Sequence, residues 1–298
     1  MIRLADYRPV SLGDRELFQD YFARFPQTHT EYLYTGLICW SHYTPAFYTV
    51  RDGSLLIMNM LAGKPQFRPP VGARNDHVLS EILELAKKEG GDKAVIGIDE
   101  PSKEWIQKVR PNINISGDRD FYDYIYLAKS LAELPGKPYL TQRNHLNKFR
   151  RKYEHSVERI DQQNREEVEE FLKRWCLARD CDEDEMLQEE KKAILFCMDH
   201  FFELELSGIV IRIDRKIQAL SVWESLNKDT AAIHYEKALP EYEGIYPAVN
   251  NEAAKILAKD YKYINRESDL GIPGLRTAKE RLHPDHMSPL YYIEKEDL

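Results

Sequence analysis

The sequence predicts an α+β protein built from two similar units, each with a mixed central sheet of parallel and antiparallel strands. The first observation is a shared order of elements, since residues 78–127 and 247–293 each read helix, strand, proline-opened helix, strand. The second is that further strands precede the first helix of each series. The third is the length of 298 residues, which suffices for two domains. We predict domains at 1–135 and 155–298, joined by a basic helix at 136–154.

The first half shows hydrophobic patterns typical of helices and others typical of strands. An Asp52-Gly53 pair between apolar runs predicts a hairpin, and Val78, Ile82 and Leu85 form one helix face. The predicted elements are a helix over Gly13–Phe25, two strands within 47–58, a helix over Val78–Lys88, a strand over 92–98, a helix over Pro101–Val109 and a strand over Phe121–Leu127.

The second half repeats this alternation after two helices. We predict a strand over Ser156–Ile160, helices over Arg165–Arg179 and Met186–Leu206, strands over Gly208–Asp214, Ile217–Leu226 and Thr230–Lys237, a helix from Ile245 to Lys259, a strand over Tyr261–Arg266, a helix from Pro273 and a strand over Leu290–Ile293. This order is analogous to that of the Gcn5-related N-acetyltransferase (GNAT) fold, so we expect two tandem acyl-CoA N-acyltransferase (GNAT-like) domains.

Composition narrows the class of protein. With 43% hydrophobic and 31% charged residues, the chain is expected to be globular. It has no apolar run near 18 residues and no signal-peptide core at its N-terminus, so we expect no transmembrane segment and a cytoplasmic location. Its four cysteines form no Cys-x-x-Cys pair, which favours buried thiols and no metal site. The net charge of −8 argues against indiscriminate nucleic-acid binding.

A basic stretch over residues 136–153 differs from this acidic background. It holds six Lys or Arg residues and no acid, with Tyr139, His145 and Phe149 interleaved. On a helix, several of its polar residues share neighbouring turns. Either a solvated charged face or an anion-binding site explains the pattern. The candidate anion-binding or tRNA-binding residues are Lys137, Arg143, Asn144, Lys148 and Arg151.

The densest group of polar residues follows the strand at Tyr261–Arg266. A turn containing Glu267, Ser268 and Asp269 leads through Gly271 into the helix that Pro273 opens. Ligands of open α/β sheets usually bind at the carboxyl ends of strands. A capped turn with surface salt bridges is the alternative. If the site is functional, Glu267 or Asp269 could hold an amino group, and Arg276 and Lys279 could meet a phosphate or a carbonyl oxygen.

Acyl transfer also needs a base for the nucleophile. Glu236 ends a predicted central strand, and period-two alternation puts it on the same side as His234, with Tyr235 on the other. Glu236 is therefore the candidate base or amine anchor, although a strand-end pair with Lys237 would explain it equally well. The catalytic candidates are Glu236, Asp269 and Arg276; the substrate-binding candidates are His234, Tyr235, Tyr246, Asn250, Asn265, Glu267 and Lys279.

Three blocks of sequence together resemble the phosphatidylglycerol lysyltransferase C-terminal domain family. They are Lys137-x5-Arg143-Asn144-His145-Leu146-Asn147-Lys148-Phe149; His234-Tyr235-Glu236-Lys237-Ala238 with Tyr246 and Asn250; and Ile264-Asn265-Arg266-Glu267-x-Asp269-Leu270-Gly271-x-x-Gly274-Leu275-Arg276-x-Ala278-Lys279. The resemblance implies a tandem acetyltransferase-like fold, also found in Fem-type aminoacyltransferases. It further implies transfer of an aminoacyl group, which membrane members of the family take from charged tRNA and place on phosphatidylglycerol.

The donor predicted from these features is aminoacyl-tRNA in preference to acyl-coenzyme A, with no permanently bound cofactor. Acetyltransferases hold the pyrophosphate of coenzyme A on a glycine-rich turn before a helix. Here the corresponding loop, 239–247, has one glycine and two glutamates. The acceptor is an amine or hydroxyl of a small molecule, peptide or lipid headgroup. The alternatives are an acyl-CoA-dependent N-acyltransferase and a non-catalytic GNAT-fold protein that binds RNA or another anion.

Overall fold

The computed structural model describes residues 1–178 and 185–298, and it divides them into two compact units. The first unit comprises Met1–Asp123 with Ser288–Leu298, and the second comprises Tyr124–Met287. Elements are numbered below in chain order.

The first unit contains four helices and a seven-stranded sheet in the described residues. The helices are α1 (Arg15–Arg24), α2 (Tyr34–Cys39), α3 (Asp76–Glu89) and α4 (Glu100–Val109); the strands are β1 (Arg8–Pro9), β2 (Ala46–Arg51), β3 (Ser54–Leu61), β4 (Lys64–Phe67), β5 (Lys93–Ile98), β6 (Ser116–Gly117) and β14 (Tyr291–Glu294). The sheet order is β1-β2-β3-β4-β5-β14-β6, with β4 and β5 parallel.

The second unit repeats the plan with additional helices. Its helices are α5 (Ala128–Glu133), α6 (Leu140–Lys152), α7 (Arg165–Ala178), α8 (Glu185–Asp199), α9 (Ile245–Leu257) and α10 (Pro273–Glu280); its strands are β7 (Asp123–Leu127), β8 (His155–Arg159), β9 (Ser207–Ile213), β10 (Lys216–Asn227), β11 (Thr230–Ala238), β12 (Tyr263–Asn265) and β13 (His286–Ser288). Here the sheet order is β8-β9-β10-β11-β12-β7-β13, and β11 and β12 are parallel. The two orders correspond strand for strand, which confirms the predicted α+β class with mixed sheets.

The last strand of each half pairs within the other sheet. We predicted that the strand at 121–127 closes the first half and the strand at 290–293 the second. Instead β7 lies between β12 and β13, and β14 lies between β5 and β6. A hydrophobic run predicts that a strand exists, but it carries no information about which distant strand pairs with it. The compact units therefore divide the chain at other residues than the predicted domains 1–135, 136–154 and 155–298.

The hairpin is as predicted and the predicted helices start within about two residues of their predicted positions, whereas one helix ends earlier than predicted. Asp52 and Gly53 both have positive φ, as the two-residue turn between β2 and β3 requires. Helix α8 ends at Asp199, although the apolar spacing predicted helix to Leu206. Phe201 and Leu204 are buried beyond its end, so the periodic signal continues after the helix has stopped.

The core of the second unit forms between its sheet and the helices α5, α6 and α9. Helix α9 contributes Ala248, Val249 and Ala253, all at most 1% exposed, and small side chains here allow close helix–sheet packing. Phe149 of α6 and Ile264 of β12 join the same cluster. This packing fixes β11, β12 and α9, which carry most of the candidate residues.

Two further predictions concern cysteines and membrane spans. Cys39 is a buried free thiol, and Cys197 is buried as well. Cys176 is disulfide-bonded, so the prediction of a thiol is wrong there, because chain spacing does not reveal which side chains meet. Cys181 lies outside the described residues.

Within residues 1–178 and 185–298, no helix is long and apolar enough to cross a membrane, and no cluster of ligating side chains could hold a metal ion.

Candidate active site

The candidate site lies in the second unit where the parallel strands β11 and β12 separate. Their pairing runs from Thr230–Tyr263 to Ala232–Asn265 and ends there. Strand β11 continues to Ala238, whereas the chain after β12 turns away at Glu267, which has a φ of 56°. The separation places His234 and Glu236 of β11 opposite the Arg266–Asp269 turn. The sequence named candidate residues in both segments, and the structure brings the two segments together.

Glu236 is held in a buried, incompletely satisfied polar group. Its carboxylate Oε2 accepts hydrogen bonds from Arg266 Nη2 and, at 3.5 Å, from Asn250 Nδ2. Its side chain is 7% exposed, and its Oε1 has no hydrogen-bond partner in the described part of the chain. Burial raises the pKa of Glu236, and the positive charges of Arg266 and Lys279 oppose this increase. A carboxyl group with a raised pKa and a free oxygen is suited to accept a proton.

His234 is enclosed by two carboxylates. Its Nε2 lies 2.7 Å from Glu224 Oε1, and its Nδ1 lies 2.8 Å from Glu267 Oε1. Burial lowers the pKa of His234, but the hydrogen bonds and charges of Glu224 and Glu267 outweigh burial and raise it to about 10. His234 is therefore an imidazolium at neutral pH that donates to both carboxylates. The three charges sum to −1, and Glu267 is the most exposed of them at 39%.

Asp269 is fully buried, and both of its oxygens are in use. Oδ2 accepts from Tyr124 Oη at 2.6 Å and Arg276 Nε at 2.9 Å. Oδ1 accepts from Arg276 Nη2 at 2.8 Å and the Gly271 amide at 2.9 Å. Burial alone would raise the pKa of Asp269, but these donors hold it well below its usual range. The Asp269–Arg276 pair thus joins β7, the turn and α10.

Lys279 stabilises the same turn from inside. Its Nζ donates to the backbone carbonyl oxygens of Arg266, Glu267 and Ser268 at 2.5, 3.0 and 2.6 Å. Tyr126 of β7 donates to the Lys279 carbonyl oxygen at 2.8 Å. These bonds hold the turn in its positive-φ conformation, and contact of Lys279 with a substrate stays a prediction.

Of the remaining substrate-binding candidates, Asn250 and Asn265 lie at this centre. Asn265 is fully buried, and its Oδ1 accepts from the Glu267 amide at 2.7 Å, so it shapes the turn. Tyr235 is buried on the opposite face of β11 from Glu236. Asn250 contacts Glu236 from α9. Tyr246 is half-buried against the core of the unit.

The basic helix α6 has several of its cations engaged. Arg143 donates to the carbonyl oxygens of Leu134 and Gly136, and so fixes the preceding loop. Lys148 and Lys152 both pair with Glu243, and Arg150 pairs with Glu252. Lys137, Asn144 and Arg151 are exposed on the same segment.

The loop before α9 packs against α6. Gly244 has a φ of 83°, and a Cβ atom there would lie 2.6 Å from the His145 carbonyl oxygen. The glycine is thus required for close approach of α6. Glu243, next to it, forms ion pairs with α6. The N-terminus of α9 therefore carries carboxylates where a pyrophosphate would need donors.

Sequence reasoning missed four contributors to the site: Tyr124, Ser221, Glu224 and Arg266. Ser221 lies directly opposite Glu236 in the antiparallel register of β10 and β11. Arg266 stands within the third sequence block quoted above, and its place in that block is the signal by which it could have been recognised. The other three depend on strand register or on the placement of β7, which a single sequence does not specify.

In the first unit, an arginine side chain occupies the place beside the parallel strands β4 and β5 that corresponds to the candidate site. Arg68, directly after β4, is 4% exposed. It donates to Asn59 Oδ1 at 3.0 Å and Glu31 Oε2 at 2.9 Å, and to the Glu31 carbonyl oxygen. Its guanidinium nitrogens all have partners, whereas Arg266 Nη1 has none among the described residues. The candidate site is therefore assigned to the second unit alone.

Two sheets of matching order, with a buried polar centre where the parallel strands separate, define a tandem GNAT-like class of fold. Comparison with known families is consistent with this class: the family described as "Phosphatidylglycerol lysyltransferase, C-terminal" matches residues 22–294. The chain belongs to this family. No functionally curated protein matches it.

Solved structures confirm the fold. A conserved protein of unknown function from Bacteroides thetaiotaomicron is 27% identical with a TM-score of 0.89, covering 97% of this chain and 99% of that one. L-PGS from Bacillus licheniformis is 15% identical with a TM-score of 0.64, covering 94% and 91%. FemX is 9% identical with a TM-score of 0.56, covering 97% and 98%. The last two likenesses show the fold alone.

Proposed function

We propose that this protein is an aminoacyltransferase whose second unit transfers an aminoacyl group from charged tRNA to an amine or hydroxyl acceptor. The observation that carries the proposal is Glu236, a buried carboxyl group with a free oxygen at the point where β11 and β12 separate. Membership of a family named for lysyl transfer, and a fold similar to that of L-PGS, support the reaction class.

Glu236 acts as the general base in this proposal. Its Oε1 accepts the proton of the acceptor nucleophile as that nucleophile attacks the ester carbonyl carbon of the donor. The raised pKa brings Glu236 closer to neutral pH, where proton transfer is most effective. Arg266 holds the carboxylate in place through its other oxygen.

Glu267 is the proposed anchor for the donor's α-ammonium group. Asp269 was an equal candidate from the sequence, but each of its oxygens already accepts two hydrogen bonds. Glu267 is 39% exposed and belongs to a group with net charge −1. A cation is therefore stabilised beside it, and a plain acetyl group gains nothing from it.

Lys137 and Arg151 are the proposed contacts to the tRNA backbone. Both are exposed on the α6 segment, whereas Lys148 and Lys152 share an ion pair with Glu243. Phosphate contacts of this kind make affinity strongly salt-dependent. Acyl-coenzyme A is disfavoured as the donor, because Glu241 and Glu243 stand before the N-terminus of α9.

Binding of the purified protein to charged tRNA and to acetyl-coenzyme A, each at two salt concentrations, tests the proposal. We expect saturable binding of charged tRNA that weakens with salt, and no binding of acetyl-coenzyme A. Binding of acetyl-coenzyme A alone would instead indicate an acyl-CoA-dependent enzyme, and binding of neither would contradict catalysis from either donor.

A further inference from the structure

Three buried polar atoms that make no well-formed hydrogen bond are gathered around Glu236. They are Glu236 Oε1, Arg266 Nη1 and Ser221 Oγ, each without a partner of good geometry in the described part of the chain. Ser221 is directly opposite Glu236 in the strand register, its hydroxyl is near enough to the carboxylate to oppose the rise in the pKa of Glu236, and Arg266 is hydrogen-bonded to Glu236. A buried polar group without a partner costs about 1–3 kcal/mol, so three at one place are unusual in a folded protein.

Arg266 and Glu236 are joined by a single hydrogen bond, and this explains why one atom of each side chain has no partner in the described part of the chain. Arg266 uses Nη2 on Glu236 Oε2, so Nη1 and Oε1 remain unused, although a two-pronged arginine–carboxylate pair would satisfy both. A group that joins them must donate a proton to Oε1 and accept one from Nη1. Ser221 Oγ can do either.

This pattern of donors and acceptors selects the chemistry of the bound group. A hydroxyl group or a water molecule both donates and accepts, and therefore fits. An amine is mostly an ammonium group at neutral pH, and an ammonium group only donates and would meet the guanidinium charge of Arg266. A carboxylate only accepts and would meet the charge of Glu236.

We propose that Glu236, Arg266 and Ser221 bind the oxygen of a neutral hydroxyl nucleophile, and that water takes this place when no acceptor is bound, so that the protein also hydrolyses aminoacyl esters. This inference rests on the proposed function. In the hydrolytic step a water proton passes to Glu236 Oε1 while the water oxygen bonds to the ester carbonyl carbon. The bond from that carbon to the ribose oxygen then breaks, and the ribose oxygen takes up the proton. The products are a free amino acid and uncharged tRNA.

The experiment follows the loss of a radiolabelled amino acid from charged tRNA, with excess protein and no added acceptor. We expect deacylation well above the spontaneous rate. Glu236→Gln keeps the hydrogen bond to Arg266 but removes the base, and should lower this rate roughly 100-fold. Ser221→Ala should lower it roughly three- to tenfold, which corresponds to one hydrogen bond.

The matched control is Ser54→Ala. Ser54 is also a buried serine whose Oγ lacks a partner, but it lies on β3 of the first unit. Its variant should deacylate at the wild-type rate, and thermal unfolding of each variant checks the fold. With glycerol or glycinamide added as nucleophile, the product should be the glycerol ester and not the amide.

Three results would overturn the inference. They are deacylation at the spontaneous rate by a protein that binds charged tRNA, equal rates for Ser221→Ala and Ser54→Ala, and preferential amide formation. The first of these leaves the proposed transferase intact, since the donor is still bound. Failure to bind charged tRNA at all would contradict the proposed function together with the inference.

Discussion

At the scale of single residues, the site is a set of buried charges arranged in pairs. His234 lies between two carboxylates, Asp269 faces Arg276, and Glu236 faces Arg266. Removal of one partner from such a pair leaves an uncompensated charge, which is costly in a buried environment. The effect on the stability of the protein can be measured by varying the pH and by substituting single residues.

The stability of the protein should depend on the charge of His234. Its folded pKa of about 10 lies above its ordinary value of 6.5. The stabilisation is complete below pH 6.5 and is lost as the pH rises to 10. Between pH 7 and 10 this residue should lower the free energy of unfolding by up to about 1.4 kcal/mol per pH unit. Chemical denaturation at several pH values measures the slope.

His234→Gln should remove this contribution, while the exposed His77 provides the control. His77→Gln should keep the wild-type slope. An unchanged slope in His234→Gln would show that the imidazolium between Glu224 and Glu267 does not stabilise the folded state.

Asp269→Asn should destabilise the protein by about 2 kcal/mol, because charge-assisted hydrogen bonds from Arg276 are weakened. Asp6→Asn is the comparison: Asp6 also pairs with an arginine, Arg3, but on the exposed surface, so its loss should cost much less. Equal midpoints of thermal unfolding for the two variants would argue against a structural role for the Asp269–Arg276 pair.

At the scale of elements, two segments carry the proposal: the turn between β12 and α10, and the helix α6. The sequence predicted both, because glycine, proline and charge patterns are local signals. It could not predict that Lys279 donates to the backbone of the turn, or that Glu243 forms ion pairs with two lysines of α6. Those facts depend on which distant residues meet.

The helix α6 should contribute to tRNA binding through cations that form no ion pair with the described residues. Arg151→Ala should weaken the binding of charged tRNA and reduce the salt slope by about one, because one phosphate contact is lost. Lys148→Ala should have a smaller effect, since Lys148 is already paired with Glu243 at 2.9 Å. Fluorescence anisotropy at several salt concentrations measures both, and an inverted order of effects would contradict this assignment.

At the scale of the whole molecule, the chain is a duplicated fold with exchanged strands. The repeated order of elements in the sequence correctly predicted two similar sheets. The exchange of β7 and β14 was not predictable, because strand pairing between residues far apart leaves no periodic signal in either strand. The unit boundaries at 124 and 287 follow from this exchange.

The exchange predicts which fragment of the chain folds independently. Residues 124–287 include β7, which lies inside the second sheet between β12 and β13, and should unfold cooperatively. Residues 155–298 lack β7, as well as the helices α5 and α6, and should not. Circular dichroism during thermal unfolding distinguishes them, and cooperative unfolding of only the 155–298 fragment would contradict the assigned unit.

The central claim is that Glu236 is the base of an aminoacyl transfer site. It is tested most directly by comparing wild-type protein and Glu236→Gln for both binding and consumption of charged tRNA. We predict that the variant keeps the wild-type dissociation constant for charged tRNA but consumes its aminoacyl ester roughly 100-fold more slowly. Consumption at the wild-type rate by a variant that binds normally would show that another group activates the nucleophile.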